Sequence, residues 1–361
     1  MKKTLAPLLV TLAIQVMTAL SMMAVPVLAS TAAPDIGVSA TYVGLFVALV
    51  YLGAMISSVA GGALVPRFGA IRVSQVCLLL CAVGMALAML GLPAIMAVAA
   101  LIVGCGYGPI TPASSHVLAK STPPHLTGLV FSLKQTGVPL GGLLAGLLVP
   151  PLVLLAGWRA ALASVSIACL AVAAFVQAMQ PSIDCDREPD HRIGFAAILA
   201  PLKQVLGVPS IRALALASLF YSAMQLCLMG YVVIYLVQDL ELSLVRAGIL
   251  LAIAQAGGVF GRIVWGTVAD RWIPPQRMFG QLGLTMASGA AATALFSPAW
   301  PASALMLTLT LFGAAAIGWN GVVTGPLLFG AIVGSGLGYR AAYLLLALPA
   351  LAVGLRFTFG R

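Results

Sequence analysis

The amino-acid sequence predicts an all-α membrane protein built from two homologous halves, and three observations carry that prediction. Of the 361 residues, 62% are hydrophobic and 7% are charged, and the mean hydropathy is +1.12. A soluble domain carries about 25% charged residues, so this chain has too few to cover a surface that faces water. Apolar runs long enough to cross a bilayer recur along the chain. One loop between two such runs, Gly62–Arg72, returns in related form at Gly266–Arg277.

The predicted spans follow one another with short connections that carry turn residues. A helix needs about 20 apolar residues to cross the hydrocarbon core, and no strand-like alternation competes with helices here. Apolar runs lie at 5–29, 42–65, 73–91, 94–119, 128–155, 160–180, 211–237, 244–268, 279–297, 302–333 and 339–357.

The end of the chain departs from this pattern. The run 302–333 exceeds one span, but Val322–Val333 adds only about 18 Å of helix against a core of about 30 Å. The sequence therefore predicts 11–12 transmembrane helices with an incomplete span 11. Either a long tilted helix passes through Gly325-Pro326 and leaves the C-terminus outside, or a half-span from Val322 turns back and leaves it inside. The positively charged tail favours the half-span.

Lysine and arginine set the predicted orientation. With the N-terminus in the cytoplasm, most loop cations fall inside, and only Arg159, Arg246 and Arg340 fall outside. This bias accounts for the net charge of +10 and gives no reason to expect a nucleic-acid partner. The first run is too long for the apolar core of a signal peptide, so we interpret it as an uncleaved span. We expect a monomeric, multi-pass protein of the inner cell membrane.

A polar segment divides the chain into an N-terminal six-helix bundle (1–180), a cytoplasmic linker (181–209) and a shortened C-terminal bundle (210–361). The linker carries four acidic residues and His191, which is conceivable as a metal site. Alternating acids beside Pro189 lack a fixed geometry, so the sequence favours a solvated linker without metal. Apolar residues at helical spacing from Phe195 to Leu206 predict an amphipathic helix on the membrane surface.

The repeated loop resembles the signature of the major facilitator superfamily, Gly-x-Leu-x-Asp-Arg-x-Gly-x-Arg. The resemblance implies the major facilitator fold of two six-helix halves. In span 5, Gly137-Val-Pro-Leu-Gly-Gly142 is similar to the Gly/Pro-rich motif of this family, and the stretch from Lys134 looks like cyanate-permease-type members. The first copy of the loop keeps Gly62, Leu64, Arg67, Gly69 and Arg72 but has Pro66 for the acid; the second keeps Gly266, Asp270 and Arg271.

The resemblance implies that the loop residues have a gating role. An acid there can pair with basic residues or cap a neighbouring helix, and such contacts latch one half against the other in the outward-facing state. Asp270 is then the surviving latch, and Pro66 marks a lost one. The alternative is that the basic loops only set topology.

Two basic residues interrupt apolar spans. None of the eight acidic residues lies inside a span, whereas Lys134 lies in span 5 and Arg262 in span 8. A charge at mid-membrane costs about 2.5–3.5 kcal/mol on insertion scales, and such residues are usually functional. The alternative is that both side chains snorkel to the cytoplasmic headgroups. Because the resemblance implies that spans 5 and 8 border the central cavity, we expect both cations to bind an anion there.

Polar and aromatic residues of the cavity-lining spans are the other substrate-binding candidates. The resemblance implies that spans 1, 4, 7 and 10 line the cavity, and span 8 adds one glutamine. Each residue could equally serve a hydrogen bond between helices. By contrast, Trp158 and Trp300 are expected in the aromatic belt at the membrane interface. The candidates are Gln15, Tyr107, Tyr221, Gln225, Gln255, Trp319 and Asn320.

The sequence therefore predicts a secondary active transporter that moves a small anion, such as an organic carboxylate or an inorganic oxyanion, by alternating access. Its partners are this small-molecule substrate and the lipid bilayer. Efflux of hydrophobic drugs is one alternative, although a proton-driven exporter of cationic drugs usually needs an embedded acid. A degenerate, non-transporting membrane protein is another. No cofactor is expected, nor an enzyme, because no span carries a nucleophile with its base.

Overall fold

The computed structural model describes residues 2–188, 209–272 and 275–319, and throughout these ranges the regular structure is helical. The C-terminal options predicted for residues 320–361 and the amphipathic helix predicted within 195–206 lie outside them. The N-terminal half contains α1 (Lys2–Ile36), α2 (Val43–Phe68), α3 (Ala70–Ala88), α4 (Pro93–Tyr107), α5 (Ile110–Ser121), α6 (Thr127–Gln135), α7 (Gly137–Gln177) and the short α8 (Gln180–Ile183). The C-terminal half contains α9 (Pro209–Gln238), α10 (Leu244–Arg271), α11 (Pro275–Ala294) and α12 (Ala302–Ala316).

Six helical segments of the described chain are long and apolar enough to cross a membrane, and α2, which bends by 52°, makes a seventh if counted as one span. Helix α7 covers two predicted spans. Its 41 residues would extend about 60 Å, twice the thickness of the hydrocarbon core. Gly157 divides it with φ of 83°, a left-handed conformation that glycine adopts without strain. The glycine falls between the predicted spans 128–155 and 160–180.

The two halves meet along α7, which lies between α1 and α10. Glycines permit these contacts: a Cβ on Gly146 would collide with the carbonyl oxygen of Gly248, and a Cβ on Gly248 with that of Gly146. In a membrane, helices associate through such close van der Waals packing rather than through exclusion of water. Gly142 and Gly146 of span 5 therefore lie at a contact between the two halves.

The prediction for Trp158 is wrong. Its side chain is buried rather than placed at a lipid-facing belt. The indole Nε1 donates a hydrogen bond to Asp35 Oδ2 at 2.9 Å, which joins the end of α1 to the chain just after Gly157. A buried indole requires such a partner, and nothing in the local sequence distinguishes a paired tryptophan from an interfacial one.

The beginning of the central linker also differs from the solvated linker that the sequence predicts. Asp184 is buried, and its carboxylate accepts hydrogen bonds from the backbone N–H groups of Ile71 at 2.9 Å and Arg72 at 3.0 Å. These are unpaired donors in the first turn of α3, where a carboxylate also interacts favourably with the helix dipole. Gly69 has φ of 93°, and a Cβ there would press on the Asp184 carboxyl. The motif glycine is therefore required both for its backbone conformation and for the space that Asp184 occupies.

Two further linker acids bind the same end of the N-terminal half. The Asp186 carboxylate lies 2.9 Å from His116 Nε2 and pairs with Lys120 of α5. The backbone N–H of Glu188 donates to the carbonyl of Pro66 at 2.7 Å. Within the described chain, no group of acidic, His or Cys residues has the geometry of a metal site. Residues 184–188 thus hold the linker onto the helix ends. Asp184 also places an acid beside the loop that has Pro66 at the position of the family's acid.

We expect Asp184→Asn to destabilise the protein by about 1–2 kcal/mol, since an amide cannot accept both backbone hydrogen bonds as a carboxylate does. Thermal unfolding of the purified protein in detergent measures the effect. Asp239→Asn is the matched control, because Asp239 is exposed and its replacement should change stability by less than about 0.5 kcal/mol. Equal stability of both variants would contradict the capping role of Asp184.

Candidate functional site

Lys134 is fully buried at the end of α6. Its Nζ donates hydrogen bonds to the carbonyl of Thr111 at 3.1 Å and to Ser115 Oγ at 2.9 Å, both on α5. The ammonium group also lies 6.0 Å from the centre of the Phe131 ring. The side chain therefore points into the bundle and not toward headgroups, so the snorkelling alternative does not describe Lys134 in this structure.

Arg262 is buried on α10 and connects the two halves. Its Nε donates to the carbonyl of Ile317 in the C-terminal half at 3.0 Å, and one terminal nitrogen donates to the carbonyl of Gln135 in the N-terminal half. Gln135 follows Lys134 directly, so Arg262 binds the backbone next to Lys134 across the interface between the halves. The planar guanidinium suits this task because its donors point in several fixed directions.

Two tyrosines of the N-terminal half lie near Arg262. Tyr51 of α2 and Tyr107 of α4 are close enough to Arg262 to interact with its charge. Their rings form an edge-to-face pair with centroids 6.4 Å apart. Tyr107 was predicted from the sequence, whereas Tyr51 was not, since a single tyrosine in span 2 carries no periodic or motif signal. We call Lys134, Arg262, Tyr51 and Tyr107, which come from α6, α10, α2 and α4, the cationic site.

No carboxylate balances the cationic site within the described residues, where the ion pairs are those of Asp186 with His116 and Lys120. Burial of an ion in a low-dielectric interior costs several kcal/mol unless an opposite charge offsets it. Backbone carbonyls and a serine hydroxyl accept hydrogen bonds from Lys134 and Arg262, but these neutral groups do not offset a positive charge. The site is therefore electrostatically suited to an anion.

The predicted glutamines of spans 1 and 8 lie against α7. Gln15 of α1 is buried, and its Cβ and Cγ would lie 3.1 Å from a Cβ on Gly137. Gln255 of α10 is fully buried, and its carboxamide lies over Gly142. Both side chains therefore contact α7, Gln15 from α1 and Gln255 from α10.

Three other candidates form a separate aromatic cluster in the C-terminal half. The Tyr221 hydroxyl donates to the carbonyl of Phe279 at 2.7 Å, and the two rings stack with centroids 4.3 Å apart. Trp319 Nε1 donates to Gln225 Oε1 at 3.1 Å. Because these groups satisfy one another, the structure gives them a packing role and does not join them to the cationic site. Asn320 lies outside the described residues.

The motif residues lie where the repeated loop was predicted. Gly62 and Arg67 are in the last part of α2, and Arg67 is exposed with its guanidinium 5.4 Å from the Phe68 ring. Arg72 of α3 donates to Gln75 at 3.2 Å and to Gln177 at 2.9 Å. Gly266, Asp270 and Arg271 lie in the last turns of α10. The side chains of Asp270 and Arg271 are outside the described part, so the latch stays a prediction.

Comparison with models of protein families identifies the family of this chain. The model described as Major Facilitator Superfamily matches residues 10–320. The chain belongs to the major facilitator superfamily. The prediction drawn from the doubled loop and the two helical halves is therefore confirmed, and the family and fold mark a multi-pass membrane transporter. The finer likeness to cyanate-permease-type members stays a prediction.

Solved structures of major facilitator transporters share the fold. A bacterial homolog of the human lysosomal transporter Spinster, inward-facing and occupied, has a TM-score of 0.74 and 17% identity over 98% of this chain and 80% of its own. A D-xylose–proton symporter has a TM-score of 0.65 and 20% identity over 99% of this chain and 88% of its own. A peptide transporter in complex with alafosfalin has a TM-score of 0.74 and 16% identity over 99% of this chain and 89% of its own. Identities this low establish the fold alone. Comparison with curated protein sequences gives no match.

Proposed function

We propose that this chain is a secondary active transporter that moves a small anion, either an organic carboxylate or an inorganic oxyanion, by alternating access. One observation carries the proposal: Lys134 of the N-terminal half and Arg262 of the C-terminal half are both buried without a carboxylate partner in the described chain, and Arg262 binds the backbone carbonyl of Gln135, the residue after Lys134. We also propose that the protein works as a monomer in the inner cell membrane with its N-terminus in the cytoplasm.

An anion that binds both cations would have a role in the transport cycle, because Lys134 and Arg262 belong to different halves. An anion bound to both side chains would interact with both halves at once and stabilise their approach. Arg262 would then exchange the Gln135 carbonyl for the substrate, since a charged acceptor forms a stronger hydrogen bond than a neutral carbonyl. The likeness of the span-5 sequence to cyanate-permease-type members agrees with a small anionic cargo.

One observation favours efflux of hydrophobic compounds instead. A cavity of about 510 Å³ lies between the end of α1 and the beginnings of α2 and α4. It is lined almost entirely by apolar side chains, including Leu28, Phe46 and Met96. Such a cavity suits an apolar ligand. It contains neither Lys134 nor Arg262, so the two proposals predict different ligands.

We expect carboxylates or oxyanions, and not hydrophobic cations, to raise the melting temperature of the purified protein. A ligand at 100 times its dissociation constant stabilises the folded state by about 2.7 kcal/mol. A thermal-unfolding screen with a panel of both classes makes the measurement. Stabilisation by hydrophobic cations alone would replace anion transport with drug efflux, and stabilisation by neither class would favour a non-transporting protein.

A further inference from the structure

The carboxamide of Gln255 has no hydrogen-bond partner for either polar atom within the part of the chain that the structure describes, although the residue is fully buried. The Oε1 atom of buried Gln15 is in the same situation. Buried polar groups in folded proteins almost always have partners, and each exception calls for an explanation. Since a methionine would fill the same space as Gln255 without this cost, packing does not account for the amide.

Gln255 is aligned with Arg262 of the cationic site along α10. On α10 it precedes Arg262 by seven residues, two turns, which places both on one face about 10.5 Å apart along the axis. On the N-terminal side, its Cδ would lie 2.6 Å from a Cβ on Gly142, eight residues after Lys134. Gln15 lies against Gly137 between these levels. The side chains of Gln15 and Gln255 therefore lie against α7 at Gly137 and Gly142, three and eight residues after Lys134 in the chain.

We propose that Gln255, assisted by Gln15, forms a neutral subsite for the far end of the substrate, which is a carboxylate that also bears a carboxamide or a hydroxyl group. This inference rests on the proposed anion transport and names its substrate class. The cationic site binds the carboxylate, and Gln255 binds the uncharged polar group about two helical turns away.

The chemistry of the amide selects this group. The Nε2 atom needs an acceptor and the Oε1 atom needs a donor. A carboxamide or hydroxyl supplies both, whereas a second carboxylate supplies acceptors only and an alkyl end supplies neither. A site built to form hydrogen bonds rejects a ligand that lacks them, because its own buried groups then stay unpaired.

The location of Gln255 also fits a transport cycle. The residue is enclosed between α7 and α10, which belong to opposite halves. A substrate reaches the carboxamide only when the halves separate along this contact, which is the motion that alternating access requires. The unpaired amide favours that separation, because opening gives both of its polar atoms partners.

The test compares two ligand series on the purified full chain by thermal shift and by binding. One series consists of ω-carbamoyl carboxylates of increasing length, and the other of alkyl carboxylates with the same number of heavy atoms. We expect the wild type to bind the best carbamoyl compound about ten-fold or more tightly than its alkyl match. Gln255→Met should abolish this preference and raise the melting temperature of the ligand-free protein. Gln281→Met, at an exposed glutamine of α11, is the control and should do neither.

The outcomes separate this inference from the proposed function. Equal binding of the two series by the wild type would overturn the subsite while anion binding stands. A preference that survives in Gln255→Met would also overturn it, because the amide would then not select the ligand. A lower melting temperature of that variant without ligand would overturn it as well, because the amide would then have a structural partner. Binding of neither series would overturn the subsite and the transport of organic carboxylates, and it would leave inorganic oxyanions as the proposed substrates.

Discussion

Replacing Lys134 with Gln is expected to abolish anion transport while the folded protein remains in the membrane. Removal of one side of a buried, hydrogen-bonded charge pair costs about 2–5 kcal/mol, which is a loss of about 30-fold to several-thousand-fold in affinity. Glutamine keeps a donor for Ser115 Oγ and roughly the same volume, so the bundle can still pack. Uptake of labelled substrate into proteoliposomes, together with binding to the purified protein, makes the measurement.

Stability and activity should move in opposite directions in this variant. Lys134 is buried with no carboxylate beside it in the described chain, so its removal relieves an uncompensated charge. The ligand-free Lys134→Gln protein should therefore melt at the same temperature as the wild type or higher. Lys120→Gln is the matched control on the neighbouring α5, since its exposed ammonium pairs with Asp186, and it should transport normally. Normal transport by Lys134→Gln would remove the residue from the site.

The positions of the two cations could be predicted from the sequence because charge is rare in apolar spans and therefore conspicuous. The doubled loop could also be predicted, since its spacing recurs in both halves. Both features are local and do not depend on how the helices pack. The same reasoning predicted the break between the fifth and sixth spans, where a glycine precedes an arginine in an otherwise apolar stretch.

The partners of these residues could not be predicted, because they depend on contacts between distant segments. Asp184 is separated from Ile71 by more than a hundred residues, and its role as a helix cap follows only once α8 lies beside the beginning of α3. Tyr51 gives no signal in its own span. The two tryptophans Trp158 and Trp319 likewise find hydrogen-bond partners on other helices, and a belt or cavity position predicted from composition does not account for them.

Arg262 is expected to show two separable roles, because its guanidinium binds both halves and is also a charge. Arg262→Gln should lose anion binding by about 2–5 kcal/mol and should also loosen the contact between α6 and α10. Arg262→Lys keeps the charge, but one ammonium group cannot reach the carbonyls of both Ile317 and Gln135 as the planar fork does. We therefore expect Arg262→Lys to retain binding within about ten-fold and to share the loosened contact.

A thiol-reactive probe measures that contact if a cysteine replaces Gln135, whose backbone carbonyl still accepts the bond from Arg262, in a parent protein whose six free cysteines have been replaced. Labelling should be several-fold faster in Arg262→Gln and in Arg262→Lys than in the parent, since the interface opens more often once the link is lost. Arg246→Gln, at an exposed position near the beginning of the same helix, should leave both labelling and binding unchanged. If labelling is equal in all four proteins while binding falls in Arg262→Gln, the arginine acts on the substrate alone, and the halves are held together by the close packing of Gly146 against Gly248.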